Sequence, residues 1–386
     1  MLEEFLRNAN EELYSRENYN PFQLGTHILH GAMVAGDSEG IDIALVGVKE
    51  DRASVKNNGC ALAPDEIRKQ LFALSKPNYE IKISDAGNIE KGETIRDTYI
   101  ALSRVVNELL RMRIIPVIIG GSHDLTFGQF GAYYDLNRMI NISIIDSMID
   151  LKEDHHDIDD ESFLMQIFQY QPSFIFNVNL VAYQTHLTSQ HAIEIMNHLN
   201  FESYRLGKVK MDLNEMEPVL RDTNLFSLDM SAIRYADAPG NRNTTPNGLF
   251  AEEVCQLARF AGQSDQVDSF GIYGCNPTVD VRDQSVQLAA DIIWYFIDGF
   301  YNRKNDFPKH EEPDYMKYTI QFKENKYEMN FWKSKKTDHW WMEVPAGGEL
   351  RNRKKSFMIP CSYTDYQTAL REEVPERWIK AYQKLS

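Results

Sequence analysis

Between residues 41 and 302 the chain alternates short apolar runs with amphipathic stretches, and this alternation restricts the available folds more than any other feature. "IDIALVGV" (41–48), "IIPVIIGG" (114–121), "NISIID" (141–146), "SFIFNVN" (173–179), "NLFSLD" (224–229) and "DSFGIYG" (268–274) read as buried strands. Helical stretches lie between them. "APDEIRKQLFAL" (63–74) opens at Pro64, and Ile95, Tyr99, Leu102, Val106 and Leu109 recur in steps of four and three, one apolar stripe along a helix. Strands alternating with helices imply parallel pairing with helices on both faces, a three-layer α/β/α fold around a mainly parallel sheet. Residues 1–40 are polar and helix-prone and are expected to form an N-terminal helical extension. After residue 305 the pattern changes. "YMKYTIQF", "KYEMNFWKS" and "DHWWMEVP" read as strands and "TDYQTAL" and "ERWIKAYQKL" as helices. The expected division is therefore 1–40, 41–305 and 306–386.

Ligands of such sheets bind beyond the carboxyl ends of the strands. The polar residues at those exits are His123, Asp146, Asp150 and Asp229. Any one of them could cap the following helix instead. One histidine and three aspartates at three successive exits are better explained by convergence on one place. Met148, between two of the aspartates, is no ligand for a hard cation and reads as a filler of a core gap.

Charge limits the partners. The chain carries −16 net, which argues against a nucleic-acid or anionic-membrane binder. Residues 303–386 hold 17 Lys+Arg against 13 Asp+Glu, or +4, leaving −20 on residues 1–302. Four of the five tryptophans lie in this tail, which marks it either as a contact surface for a protein partner or as a unit packed onto the body. Packing is preferred, because exposed tryptophan clusters are rare. "RNRKK" (351–355) reads as a solvated turn. The four cysteines are scattered without CxxC pairing and read as buried free thiols, as expected of a cytoplasmic protein. The first twenty residues lack the pattern of a signal peptide, and no apolar run approaches a membrane span.

The strand-exit residues sit in segments that resemble the ureohydrolase superfamily of arginases, agmatinases and formimidoylglutamases. "IGGSHDLTFG" (119–128) is similar to the family's Gly-Gly-x-His segment, "DSMID" (146–150) to its Asp-Ala/Ser-His-x-Asp segment, and "SLDMSAIRYADAPGNRNTTPNG" (227–248) to its Ser-x-Asp-x-Asp…Ala-Pro-Gly…Gly segment. "NNGCALAPDEIR" (57–68) and "GIYGCNP" (271–277) resemble two further family stretches, and "YRLGKV" and "DAPGN" lean towards the formimidoylglutamase-like branch. The resemblance covers roughly 41–302. It implies two Mn²⁺ ions about a bridging hydroxide that attacks a guanidino or formimino carbon. One metal position would take His123, Asp146, Asp150 and Asp229. The other would share Asp146 and Asp229, but its own two ligand positions are Met148 and Ser231. The substrate-binding glutamate falls at Gly274. His155 and His156 lie near, without matching, the position of the family's proton-shuttle histidine.

The expectation is therefore at most one divalent metal, Mn²⁺, or none, with Arg234 as a candidate cation for the vacated position; the alternative for Arg234 is a surface arginine. The functional expectation is a ureohydrolase-superfamily pseudoenzyme with a binding or scaffold role. The alternative is an active hydrolase of a linear amidine C–N bond. The family's habit of forming homo-oligomers is also carried over.

Overall fold

The computed structural model describes residues 2–31, 40–136, 138–152, 157–308, 314–322, 327–347 and 356–385. His155, His156 and "RNRKK" lie outside them. Among the described residues the body holds ten strands: β1 (Leu6–Arg7), β2 (Leu29–His30), β3 (Ile43–Lys49), β4 (Ile83–Glu90), β5 (Ile115–Ile119), β6 (Ile140–Ile145), β7 (Ile175–Tyr183), β8 (Glu202–Arg205), β9 (Leu225–Asp229) and β10 (Ser269–Tyr273). Their order is β1-β4-β3-β5-β10-β9-β6-β7-β8, with β2 beside β4. All pairings are parallel except β1 with β4. Separate apolar cores cover the two faces, giving the three layers.

Continuous burial explains the short apolar runs: β5, β6, β9 and β10 are buried at every position. The helix Ile95–Arg111 starts in a capping box between Thr94 and Asp97 and buries Tyr99, Leu102, Val106 and Leu109. The strand order positions the site. β9 and β10, late in the chain, insert between β5 and β6, so the exits of β5, β10, β9 and β6 stand side by side.

β4 has no apolar signature, because it buries Asp85 and Asn88. Their partner is the fully buried Arg68 of the helix Ala63–Ala73. Its Nε and Nη2 donate to Asp85 at 2.7 and 2.9 Å, and its Nη1 donates to Asn88 at 2.6 Å. A polar strand is tolerated in the sheet because one guanidinium satisfies it. The N-terminal residues form four 3-10 turns and the edge strands β1 and β2 in place of α-helices. Polar turns of this kind gain their order by docking on the sheet edge.

The tail is an antiparallel sheet of β11 (Tyr315–Phe322), β12 (Tyr327–Ser334), β13 (Trp340–Pro345) and β14 (Ser356–Cys361), with helices Tyr363–Leu370 and Glu376–Leu385. Phe331, Trp340, Met342 and Val344 form its core. It is packed onto the body at the amino ends of the parallel strands, away from the strand exits. There Arg221 donates from Nη2 to the carbonyls of Trp340 (3.0 Å) and Cys361 (3.2 Å), and its guanidinium lies 4.4 Å from the Trp341 ring centre. Trp340 and Trp341 are buried, as the packing reading requires. All four cysteines are buried and free. No helix among the described residues is long and apolar enough to cross a membrane.

Candidate metal centre

Three strand exits supply the four expected ligands. Gly120 and Gly121 leave β5 at φ +86° and +81° and turn the chain into the helix Leu125–Gly131. A Cβ on Gly121 would lie 2.7 Å from the Glu50 carbonyl oxygen, so the turn needs glycine. The turn delivers His123. Asp146 and Asp150 follow β6, and Asp229 is the last residue of β9.

All four expected ligands come together. His123 Nδ1 lies 2.9 Å from Asp146 Oδ2, 3.1 Å from Asp150 Oδ2 and 3.7 Å from Asp229 Oδ2. The candidate ligand atoms of His123, Asp146 and Asp150 lie within 4.8 Å of one another, with Asp229 alongside. The imidazole is fixed from behind, since Nε2 lies 3.1 Å from Ser227 Oγ, which pairs with Thr126 Oγ1 at 2.7 Å. Phe163 meets the ring edge-on at 4.8 Å.

Burial of three carboxylates creates an electrostatic problem. Desolvation, reinforced by the charge of Asp146, pushes Asp150 well above the usual carboxylate range. Desolvation pushes Asp229 up to about 7, against the pull of His123. Burial alone would raise Asp146 too, but its bond to His123 holds it below its ordinary value. Burial works against the imidazolium, yet Asp146 and Asp150 hold His123 well above its usual value. Protons thus answer part of the problem. A cation would answer it better, because neither oxygen of Asp150 meets a donor in hydrogen-bonding geometry. Three carboxylates and one imidazole suit a hard divalent ion such as Mn²⁺. This four-residue position fits such a metal and, if loaded, would polarise a bound water.

The adjoining position has different chemistry. Ser231 Oγ donates to Asp146 Oδ1 at 2.8 Å, and Ser231 N donates to Asp229 Oδ1 at 2.5 Å. Ser147 Oγ lies 3.1 Å from Ser231 Oγ, and Met148 N donates to Asp146 Oδ1 at 3.3 Å. Asn241 Nδ2 donates to Asp229 Oδ1 at 3.2 Å. The second oxygens of both aspartates are therefore occupied by neutral protein donors. The Met148 side chain is half-buried. Gly274, at φ +75°, packs directly on Asp229. A Cβ there would lie 2.8 Å from Asn241 Nδ2 and 2.8 and 2.9 Å from the Asp229 oxygens.

Arg234 does not join this cluster, contrary to the expectation that its guanidinium fills the vacated position. Its Nε donates to Asp237 at 2.8 Å and its guanidinium lies 4.0 Å from the Phe250 ring centre. The local acid and the aromatic face hold it at the surface, and Ser231 and Asn241 take the place it was expected to fill. Sequence reasoning missed Asn241 and Ser227. Ser227 had a signal, being two residues before Asp229 on a strand and so on the same face. Asn241 had none beyond its neighbourhood, since a loop brings it back from twelve residues away.

Residues 41–298 match the family model described as "Arginase family". The formimidoylglutamase of Staphylococcus haemolyticus is 24% identical over 279 residues, covering 67% of this chain and 87% of the relative. That of Halalkalibacterium halodurans is 23% identical over 287 residues, covering 68% and 89%. Among solved structures, Trypanosoma cruzi formiminoglutamase with Mn²⁺ is similar at a TM-score of 0.64 and 21% identity, covering 68% of this chain and 95% of that one. The agmatine ureohydrolase of Thermoplasma volcanium is similar at a TM-score of 0.59 and 20% identity, covering 76% and 98%. Residues 306–386 lie beyond the family match.

Proposed function

Because the chain belongs to the arginase family, we propose that it is a formimidoylglutamase-like protein reduced to at most one metal position, a pseudoenzyme that works by binding rather than by turnover. The observation that carries this reading is the Ser231 hydroxyl. It donates to the Asp146 oxygen that a second metal would need, at 2.8 Å. A serine there supplies a neutral donor in place of an anionic ligand, and Met148 offers no hard ligand beside it. Gly274 withholds the carboxylate that would hold a guanidinium-like substrate group. The remaining position would hold one ion through His123, Asp146, Asp150 and Asp229. Mn²⁺ is the ion of choice because the related Trypanosoma cruzi enzyme is described with it.

A binding role finds support in the tail. Its last two helices and the turn between them expose Tyr363, Leu370, Val374, Ile379 and Tyr382, each more than 40% accessible, apolar side chains suited to a protein partner. The second reading is a single-metal hydrolase of linear amidines, and the Asp150 oxygens, which face His123 but accept no hydrogen bond, favour it, since they leave the first metal position open.

Metal stoichiometry combined with release assays tests both. Urea and formamide release are followed on arginine, agmatine and N-formimino-glutamate with Mn²⁺ titrated in. One equivalent or none, without turnover, is expected. Turnover with one equivalent supports the hydrolase reading, and two tightly bound equivalents sink the single-metal position altogether.

A further inference from the structure

Beside the metal residues, at the carboxyl ends of β7 and β8, lies an open cleft of about 620 Å³. That size falls within the range of small-molecule sites. Tyr183 and Leu206 give it an apolar floor, and Arg205, Lys208 and Lys210 stand around it. Among the described residues no carboxylate lines it, in a body that carries −20 net over residues 1–302. Lys210 is tied to Glu253 at 2.8 Å. Arg205 is freer, whereas Lys208 also borders a neighbouring crevice with Glu215 and Glu376 and acts on Glu376 at longer range. Arg205 uses its Nε on the Tyr183 hydroxyl (3.3 Å), which aims the rest of the guanidinium, and Lys208 has the Tyr204 ring 5.4 Å away. Neither has a carboxylate within ion-pairing distance among the described residues. Gly207, between them, opens onto empty space, with nothing within 4 Å of where a Cβ would stand.

The cleft borders the metal residues without including any of them. Gln184 and Asn247 exchange two side-chain bonds across the boundary, Gln184 Nε2 to the Asn247 carbonyl (3.0 Å) and Asn247 Nδ2 to Gln184 Oε1 (2.7 Å). Gln184 N also donates to the carbonyl of Ser147 at 2.8 Å, so one wall of the cleft rests on the loop that carries Asp146 and Asp150.

We propose that this cleft is a binding site for a small organic anion: Arg205 and Lys208 hold its acidic group, and Tyr183 and Leu206 cover its apolar body. An unpaired guanidinium presents parallel donors that match a carboxylate or a phosphate, and the apolar floor favours a ligand with a hydrocarbon portion over a bare ion. Occupancy does not require a metal, because none of the metal residues lines the cleft.

Titration calorimetry on the full chain, stripped of metal with a chelator, tests the site. The probes are glutarate, 3-phenylpropionate, inorganic phosphate and, as a neutral control, glutaramide. Saturable binding of at least one organic acid is expected, stronger than phosphate and absent for glutaramide. Arg205→Gln should weaken it about tenfold or more, as loss of a charge-assisted hydrogen bond does. Gly207→Trp should abolish binding by filling the cleft while leaving the far-ultraviolet circular dichroism unchanged. If Gly207→Trp fails to fold, Gly207→Glu provides the same test through charge. Phosphate binding as tightly as the organic acids would overturn the apolar-floor assignment. Absence of saturable binding for every anion up to about 10 mM, or binding indifferent to both Arg205 and Gly207, would overturn the site.

Discussion

Gly274→Ala is the most revealing single change to the site, because one methyl group probes both the backbone and the aspartate that ends β9. At φ +75° an L-residue costs about 1–2 kcal/mol relative to glycine. The new Cβ would also lie 2.8 Å from Asn241 Nδ2 and 2.8 and 2.9 Å from the two Asp229 oxygens, closer than real Cβ atoms approach such groups. These atoms are the ends of side chains and can move, but they are buried and bonded to each other at 3.2 Å. Moving them weakens a hydrogen bond to a charged group, worth about 1.5–3 kcal/mol. The total is a destabilisation of about 2.5–5 kcal/mol, read by urea unfolding followed by circular dichroism. Asp229 should shift with the methyl group, so Mn²⁺ affinity in titration calorimetry should fall at least about tenfold, the equivalent of 1.4 kcal/mol. Gly207→Ala serves as the control: it sits in a helix with open space around it and should be neutral or stabilising by about 0.5–1 kcal/mol. A Gly274→Ala protein within about 1 kcal/mol of the parent and with unchanged Mn²⁺ affinity would refute the packing of Gly274 against Asp229.

Two predictions concern the contact between body and tail. Arg221→Met removes two hydrogen bonds to tail carbonyls and the stacking on Trp341, and should cost about 3–5 kcal/mol with an early change in tryptophan fluorescence on unfolding. Asp222 lines the crevice between β7, β14 and the last helix, where desolvation outweighs the nearby Arg221, Arg377 and Lys384 and pushes its carboxyl up to about 7. A carboxyl protonated in the folded state but ionised in the unfolded one stabilises fully below pH 4 and progressively less as pH rises to about 7. Asp222→Asn should flatten that part of the stability–pH curve, and an unchanged slope between pH 4 and 7 would count against the shift.

Most of the parallel sheet was legible in the sequence, because strands buried on both faces must be apolar at almost every position, and β3, β5, β6, β7, β9 and β10 are of that kind. β4 was not legible. Its burial is maintained by Arg68, and nothing in "ISDAGNIE" shows that a guanidinium from another element will satisfy Asp85 and Asn88. β8, four residues long, and β14, "SFMIPC", carry too little pattern to stand out. The site divides the same way. His123, Asp146, Asp150 and Asp229 sit at strand exits whose position follows from the alternation, so their convergence could be argued before any coordinates. What occupies the space beside them could not, since Asn241 arrives from a loop and Arg234, three residues past Ser231, is drawn away by Asp237 and Phe250.

The net charge of the site links these observations to one last test. The family pattern that the resemblance implies has five carboxylates: the two shared ones, one more at each metal position and the substrate glutamate. Here Ser231 and Gly274 stand at two of these five positions, so three carboxylates remain, all at the single metal position proposed above. Restoring one lost carboxylate alone should upset the local charge. Ser231→Asp would replace the hydroxyl that donates to Asp146 at 2.8 Å with a carboxylate facing a carboxylate. A buried uncompensated charge of this kind costs about 3–5 kcal/mol, so the Ser231→Asp protein should melt well below the parent in chelator. Adding Met148→His supplies the neutral ligand that a second ion also needs. The double variant should regain stability only when Mn²⁺ is added, and should then bind one equivalent more than the parent. It should still release neither urea nor formamide, because Gly274 supplies no carboxylate to hold the substrate. If Ser231→Asp alone is as stable as the parent without metal, the neutral-donor account of the second position is wrong. If the double variant gains no ion, Met148 and Ser231 are not the positions that a second metal would use.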